Sequence, residues 1–535
     1  MRLRERLAGI SRWDYYSLVI ILFAITIQLL KWDLLPIFVD VYYHLLTAAG
    51  FNEAGGWVHS CFWEYAPVGR PQLYPPLLHI IILFFLKLGI PFLVVGKLIQ
   101  FAIYPLLLFT IWYVIRVIFD KRQAFFTTVL IFAPYSFYLT AISTSAASLS
   151  LIFCLLSLLF FEREKIITSA LFLGIAFYTH GYTSWIFLIV FIFYGILNRK
   201  KVALSLKVVL IALCFASPFI IFQFLHRDYF LFQRNIVENY YIELNLFDWA
   251  LFLLGLITCL KNKGKHYMLV ALFLSSTIFL LSGPVFRYLS FYGIMSIVFM
   301  NAVFLNNFYN SLNKKRKVIY LGAIFGFCFI FSPTLNIDLS ERRMSRVPKE
   351  VFSENEKLVF KKGAIVTLDY LDSNLVNFIL YCAKADVRGN EVSIYFPRLF
   401  REIIDVVVTN TEEDDIIYSN LPPLGGVMSL LSQRSTSSAM LSEMKPYSIF
   451  DQIFVSKLIV WYKDPYDIEK EPFSLVENYH LKKIADTKLA FIYGNPKCSF
   501  KKQALSATIS YKILFVLMFL VFILIVWSAK FGIDK

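Results

Sequence analysis

The chain has 535 residues, of which 58% are hydrophobic and 17% charged, with a mean hydropathy of +0.64; soluble proteins carry roughly 45–50% apolar residues, so a soluble enzyme is excluded. Lys and Arg number 52 against 37 Asp and Glu, a net charge of +15 that taken alone would suit a nucleic-acid partner. Its distribution excludes that partner: residues 334–508 hold 22 basic and 23 acidic side chains, and the other 30 basic and 14 acidic ones fall mostly in short clusters between apolar runs, the pattern of inside loops of a membrane protein rather than of a continuous phosphate-binding face.

Arg2, Arg4, Arg6 and Arg12 precede an apolar run at residues 16–38. It is too long for a signal-peptide core and has no small-residue cleavage site after it, so it reads as an uncleaved first span with the N-terminus inside. Later apolar runs are separated by charged clusters at residues 120–122, 162–165, 198–201, 261–265 and 314–317, each read as an inside loop. Outside loops then fall at residues 39–74, 142–147, 180–182, 223–245 and 282–287. A last run at residues 511–528 returns Lys530 and Lys535 to the inside. About twelve spans result. Residues 75–88 fit this alternation only as a partly embedded helix on the outer side, with residues 91–118 as the true second span.

Three parts follow: an α-helical polytopic membrane domain at residues 1–333, a smaller α/β extracytoplasmic domain at 334–508, and a C-terminal transmembrane helix at 509–535. Within the outer domain, residues 363–370, 403–409, 457–461 and 489–493 read as short buried strands and 374–384 as a helix between them. The acidic run 412–415 is a solvated loop. No internal repeat is visible. Cys154, Cys214, Cys259 and Cys328 fall in spans as small apolar fillers. Only Cys61, Cys382 and Cys498 lie outside; no CxxC pair occurs, and a Cys382–Cys498 disulfide is one option.

Polar chemistry collects at the outer boundary. The first span ends in Asp40-Val41-Tyr42-Tyr43-His44. Asp40 is either a helix-end group solvated by headgroups or a general base, because a carboxylate beside the apolar slab is partly desolvated and takes a hydroxyl proton more readily. The loop runs through Glu53, His59, Glu64 and Arg70 to Tyr74-Pro75-Pro76-Leu77-Leu78-His79. The two prolines mark a helix start; His79, one turn in, is a polar anchor or a ligand. At residues 178–185, aromatic rings surround His180, as interfacial anchors or as contacts to a sugar or phosphate. His226, Arg227, Asp228, Arg234 and Glu238 alternate with Tyr229, Phe230, Tyr240 and Tyr241, as in an interfacial amphipathic helix or ordinary surface packing.

Asp40 at the end of the first span, a long outer loop, YPPLLH opening an embedded helix, and the later Gly283-Pro284-Val285-Phe286-Arg287-Tyr288 together resemble the GT-C integral-membrane glycosyltransferases. These include the oligosaccharyltransferase catalytic subunit, protein O-mannosyltransferases and aminoarabinose transferases. The resemblance covers the topology of about the first 330 residues, and the outer domain also fits. It implies an inverting transferase that moves a sugar from a polyprenyl (dolichyl or undecaprenyl) phosphate to a glycan, lipid or protein acceptor. By resemblance, Asp40 contacts the acceptor as base and Arg287 holds the donor phosphate, with His180 beside it. An unpaired arginine at a span entrance is otherwise costly, or else snorkels. Tyr42, Tyr43, His44, Glu64, Arg70 and His79 would shape the acceptor side.

The sequence departs from oligosaccharyltransferase in three places. No acid stands at residues 141–148, where that enzyme has its DxD metal motif; no WWDYG occurs, Trp461-Tyr462-Lys463-Asp464 being the nearest echo; and the 282–287 turn is short. Asparagine-linked transfer to protein is not implied. Hard divalent metals want several oxygen ligands, and Asp40 with Glu53 or Glu64 is a thin set, so the reading is a transferase without cofactor or metal. The setting is a prokaryotic plasma membrane, archaeal by preference, with both termini cytoplasmic. A lipid-linked sugar flippase or a non-catalytic scaffold is the alternative; a transporter would put its charges near the midplane and show repeats.

Overall fold

In a computed structural model the structure describes residues 11–30, 32, 39–231, 244–278, 288–326, 334–335, 397–440, 444–463, 471–487, 490–504 and 506–531. Arg287, residues 363–370 and 374–384, and Cys382 lie outside the described residues.

Among the described residues, six helices are long and apolar enough to cross a membrane: Arg12–Leu29, Phe92–Ile118, Ser145–Glu162, Arg199–Leu225, Phe291–Ser311 and Tyr511–Lys530. The chain is an integral membrane protein with an α-helical polytopic fold. Twelve full-length spans are not found among the described residues, because several apolar runs form shorter or broken helices. The run after residue 120 is split into Lys121–Phe132 and Tyr135–Ser143 at Pro134, which brings no backbone N–H to continue the helix. The embedded-helix expectation holds in form: Leu77–Lys87 has 11 residues, about 16 Å at about 1.5 Å per residue, against a hydrocarbon core of about 30 Å. Phe92–Ile118, with 27 residues, is long enough.

The charged clusters gather at one end of the bundle. Asp14, buried in the first turn of Arg12–Leu30, receives the Arg116 guanidinium at 2.6 Å from the far end of Phe92–Ile118. Asp120 caps Lys121–Phe132 by accepting from the Arg122 and Gln123 amides and also accepts from Asn306 at 2.8 Å. Lys265 donates to the Ile118 carbonyl, and Lys317 lies over the Tyr309 ring. The Thr168–Ser528 hydroxyl contact at 2.6 Å brings the last helix's C-terminal end down beside the helix that follows residues 162–165.

At the other end the first outer loop departs from expectation. The first helix is Arg12–Leu30, and Asp40 lies in the first turn of a separate 16-residue helix, Val39–Ala54. The sequence between them carries Asp33 and Pro36, one costly in hydrocarbon and the other a helix breaker. Asp40 therefore belongs to a helix separate from the first one.

The domain expected on the outer side is built on a five-stranded mixed sheet whose order is Ser435–Thr436, Ile416–Ser419, Leu458–Tyr462, Ala490–Gly494, Lys482–Asp486. The first three are mutually parallel and the last two pairings antiparallel. Two of the expected strands are the central ones. The expected strand at 403–409 is instead part of the helix Pro397–Asn410. Its β-branched Val406-Val407-Val408 suggested a strand, but Ile403 and Val407, four residues apart, are the fully buried pair, which is helical spacing. Cys498 is a free, buried thiol.

The first outer loop is packed into this domain. Val41, Tyr42, Phe51, Leu78 and Ile82 share one apolar core with Ile403, Ile417, Val427 and Val460. The backbone of Trp63, Tyr65 and Ala66 bonds to Thr436 and Ser438, extending the sheet edge. Gly56 pairs with Ser510 at the entry to the last helix; a Cβ on Gly56 would meet the Ile509 carbonyl at 2.1 Å, so only glycine permits this approach. The packing crosses the boundary at residues 333/334.

Candidate functional site

Residues 40, 43 and 44 lie one helical turn apart, so the Val39–Ala54 helix turns Asp40, Tyr43 and His44 toward one side. Asp40 is the outermost, with its side chain 20% exposed, and its carboxylate sits in the first turn, where the helix dipole favours negative charge. Its Oδ2 lies 3.3 Å from His44 Nε2, close enough for charge pairing but off the line of an N–H···O hydrogen bond. His44 is buried, and its Nδ1 lies 2.9 Å from His79 Nε2. His79 comes from the embedded helix, fixed at its start by the Leu77 amide donating to the Tyr178 carbonyl at 2.8 Å. Asp40, His44 and His79 thus form a file running from the rim inward.

Aromatic rings enclose this file. Tyr74 stands 5.1 Å from His44, 5.6 Å from His79 and 6.4 Å from His180 by ring centroids; Phe51 meets His79 edge-on at 5.8 Å. His180 caps the helix Gly181–Leu197: its Nδ1 accepts from the Thr183 amide and contacts the Thr183 hydroxyl, which in turn meets the Tyr292 hydroxyl. A histidine held at the mouth of the bundle thus stands beside the file.

Behind Tyr43 lies a buried ion pair. Arg70 and Glu64 are 1% and 0% exposed and meet at 2.5 Å. Arg70 also donates to the Pro71 carbonyl, to Met444 Sδ and, at 3.3 Å, to the Tyr43 hydroxyl; Glu64 Oε1 accepts from the Met440 amide. The carboxylate raises the Arg70 guanidinium well above its ordinary range despite burial. Burial pushes the neighbouring Cys61 thiol and Tyr43 phenol up to about 12, opposed by Arg70. Both are therefore neutral at physiological pH.

Eight of the nine residues singled out in the sequence fall within the described structure. Tyr43, His44, His79 and His180 converge around Tyr74, and Asp40 joins them through His44. Glu64 and Arg70 sit one layer behind, reaching the file through Tyr43. Tyr42 is fully buried in the core shared with the outer domain. Arg287 lies outside the described residues. Tyr74 was missed as a site residue although its place three residues before the embedded helix marked it; Thr183, Tyr292 and Phe51 carried no local signal. Among the described residues no three His, Cys, Asp or Glu side chains gather as a metal-ligand set. Glu64 is committed to Arg70, and Glu53 pairs with Lys502 at 2.8 Å, so neither joins Asp40.

No family model matches the sequence, and no curated protein sequence matches it. Its fold does match solved structures. ArnT from Cupriavidus metallidurans in the apo state superposes with a TM-score of 0.59 at 13% identity, over 91% of this chain and 99% of that one. The same protein bound to undecaprenyl phosphate gives 0.53 at 14% identity, over 89% and 97%. The Archaeoglobus fulgidus oligosaccharyltransferase in the apo form gives 0.54 at 13% identity, over 91% and 75%. The chain thus shares the overall fold of these solved structures, the membrane fold that its residue pattern led us to expect.

Proposed function

We propose that this protein is an integral-membrane glycosyltransferase that moves a sugar from a polyprenyl phosphate to an acceptor hydroxyl on the outer face of a prokaryotic membrane. The observation that carries the reading is the Asp40 carboxylate, held at the rim of the bundle and backed by two histidines, in a fold whose solved members include an undecaprenyl-phosphate complex. The basic loops and both ends of the described chain share the opposite end, which is then the cytoplasmic one.

The reaction is a single displacement. The acceptor oxygen attacks the anomeric carbon, the bond from that carbon to the phosphate oxygen breaks with inversion, and the acceptor proton passes to Asp40. Phosphate departs without a strong acid, so the groups required are a base and a cation. Arg287 supplies the cation on the donor phosphate. His180 assists: with Nδ1 accepting from Thr183, its neutral ring carries the proton on Nε2, a donor for a phosphate oxygen. Arg70 and Glu64 hold the Tyr43 hydroxyl on the acceptor side. That Glu53 and Glu64 both have cationic partners supports a transfer without a divalent metal.

The test is transfer from a panel of radiolabelled dolichyl- and undecaprenyl-phosphate hexoses in membranes holding wild-type chain or Asp40→Asn at equal protein level, with and without EDTA. Transfer lost in Asp40→Asn, by at least the about 10²–10⁴-fold of a general base, and unaffected by EDTA is expected. Equal transfer by both proteins overturns the base; loss in EDTA overturns the metal-free reading; no transfer from any donor favours a flippase or scaffold.

A further inference from the structure

His44 and His79 have no part in the displacement just described, yet both are buried and in contact, and they come from helices 35 residues apart in sequence. Two neutral imidazoles 2.9 Å apart share one proton, so one ring donates and the other accepts. His79 Nδ1 is buried with no hydrogen-bond partner among the described residues. If that nitrogen held the proton, a buried N–H would be left unsatisfied, at about 1–3 kcal/mol; His44 Nε2 also lacks a hydrogen-bond partner among the described residues, but a proton there faces the Asp40 carboxylate at 3.3 Å and is the lesser cost. The proton therefore sits on His79 Nε2 and points at His44 Nδ1. Neutral His44 must then carry its own proton on Nε2, the nitrogen that faces Asp40 Oδ2 at 3.3 Å.

We infer that His79 and His44 are positioning residues: His79 fixes the tautomer of His44, whose Nε2–H then orients the Asp40 carboxylate toward the acceptor. The inference rests on Asp40 being the base. The opposite tautomer would aim a lone pair at the carboxylate and repel it. The His44–Asp40 contact lies off the line of a hydrogen bond, and such bonds tighten when the substrate complex forms. Tyr43, Tyr74 and Phe51 pack on the rings and keep water from competing for them.

Two measurements test it. In protein labelled with [15N]histidine, which has seven such residues, solid-state NMR is expected to give one Nδ1-to-Nε2 coupling between two rings, both in the Nε2–H form, and to lose it in His79→Leu. Rings in the Nδ1–H form, or no coupled pair, overturn the inference whether or not any donor is turned over. In the hexose transfer assay, His79→Leu is expected to lower kcat by about 10²-fold, the scale of a base misplaced by about 1 Å, with KM unchanged. His79→Gln, whose amide reaches the Nε2 position, restores most of it, and His79→Asn, whose amide stops at the Nδ1 position, does not. If the leucine variant does not accumulate, the Gln–Asn contrast decides; equal kcat in the two overturns the inference. Activity in Asp40→Asn overturns the base itself, whereas an inactive Asp40→Asn beside a fully active His79→Leu sinks only the positioning role.

Discussion

Removing the charge of Glu64 tests whether the first outer loop is held by its buried ion pair. In Glu64→Gln the guanidinium of Arg70, 1% exposed, keeps only the Pro71 carbonyl, Met444 Sδ and the Tyr43 hydroxyl. The new amide must still accept from the Met440 amide through its oxygen, which turns its NH2 against the arginine, donor facing donor. Breaking one side of a buried pair costs about 3–5 kcal/mol, or about 10²–10⁴ in an opening equilibrium at about 1.4 kcal/mol per tenfold. Cys61 is the reporter. It is 0% exposed and lies 3.9 Å from Glu64, and with its thiol pushed up to about 12 it does not react while the loop is docked. Its alkylation at pH 8 therefore proceeds through the open form, and the labelling rate is expected to rise about 10²–10⁴-fold in Glu64→Gln. The double variant Glu64→Gln/Arg70→Met, with no charge left to bury, should return most of the way. Wild-type labelling in Glu64→Gln, or a double variant that labels faster than both singles, refutes the reasoning.

The exposed His59 ring stacks on Phe222 at 5.2 Å, and Phe222 lies 4.6 Å from His226. Burial and the His226 charge both lower the proton affinity of His59. A histidine whose folded-state value is lowered contributes stability that is intact above its unfolded value of about 6.5 and is lost as pH falls through it. Cys61 labelling should accordingly quicken modestly from pH 7 to 5.5, corrected for thiolate fraction, and less so in His59→Gln; identical slopes in the two proteins would remove His59 from the account. Arg287→Gln should raise KM for the lipid donor by about 10- to 100-fold, the worth of a charge-assisted hydrogen bond of about 1.5–3 kcal/mol, with acceptor KM unchanged. A shift in acceptor KM alone would move Arg287 to the other substrate.

The membrane class, the basic-loop alternation, the short embedded helix and the central outer strands were legible because each is written in local pattern: hydropathy, charge clusters, a Pro-Pro start, runs of apolar residues. So were Asp40, Tyr43, His44, His79 and His180 as polar groups in interfacial sequence. What they touch was not legible. His44 meets His79 across 35 residues and Glu64 meets Met440 across 376, and no periodicity carries such pairings. Asp40 was placed at a span end because the run 16–38 is mostly apolar, whereas Asp40 lies in a separate helix that starts at Val39. The valine triplet at 406–408 suggested a strand by composition, while the burial of Ile403 with Val407 follows the 3.6-residue period that composition ignores.

Asp40 is therefore reached from three directions. The outer domain holds Tyr43 through Met440, Glu64 and Arg70; the embedded helix supplies His79; and the bundle mouth presents His180 across Tyr74. Each support lies on a different part of the chain, and none is Asp40's own helix. A change that loosens the outer domain, such as loss of the Glu64 charge, should thus lower kcat as well as exposing Cys61, because Tyr43 and His44 share the helix that carries Asp40. On this arrangement the outer domain is the third wall of the site, and its sheet edge, continued by Trp63 and Ala66, is what keeps that wall in register with the membrane bundle.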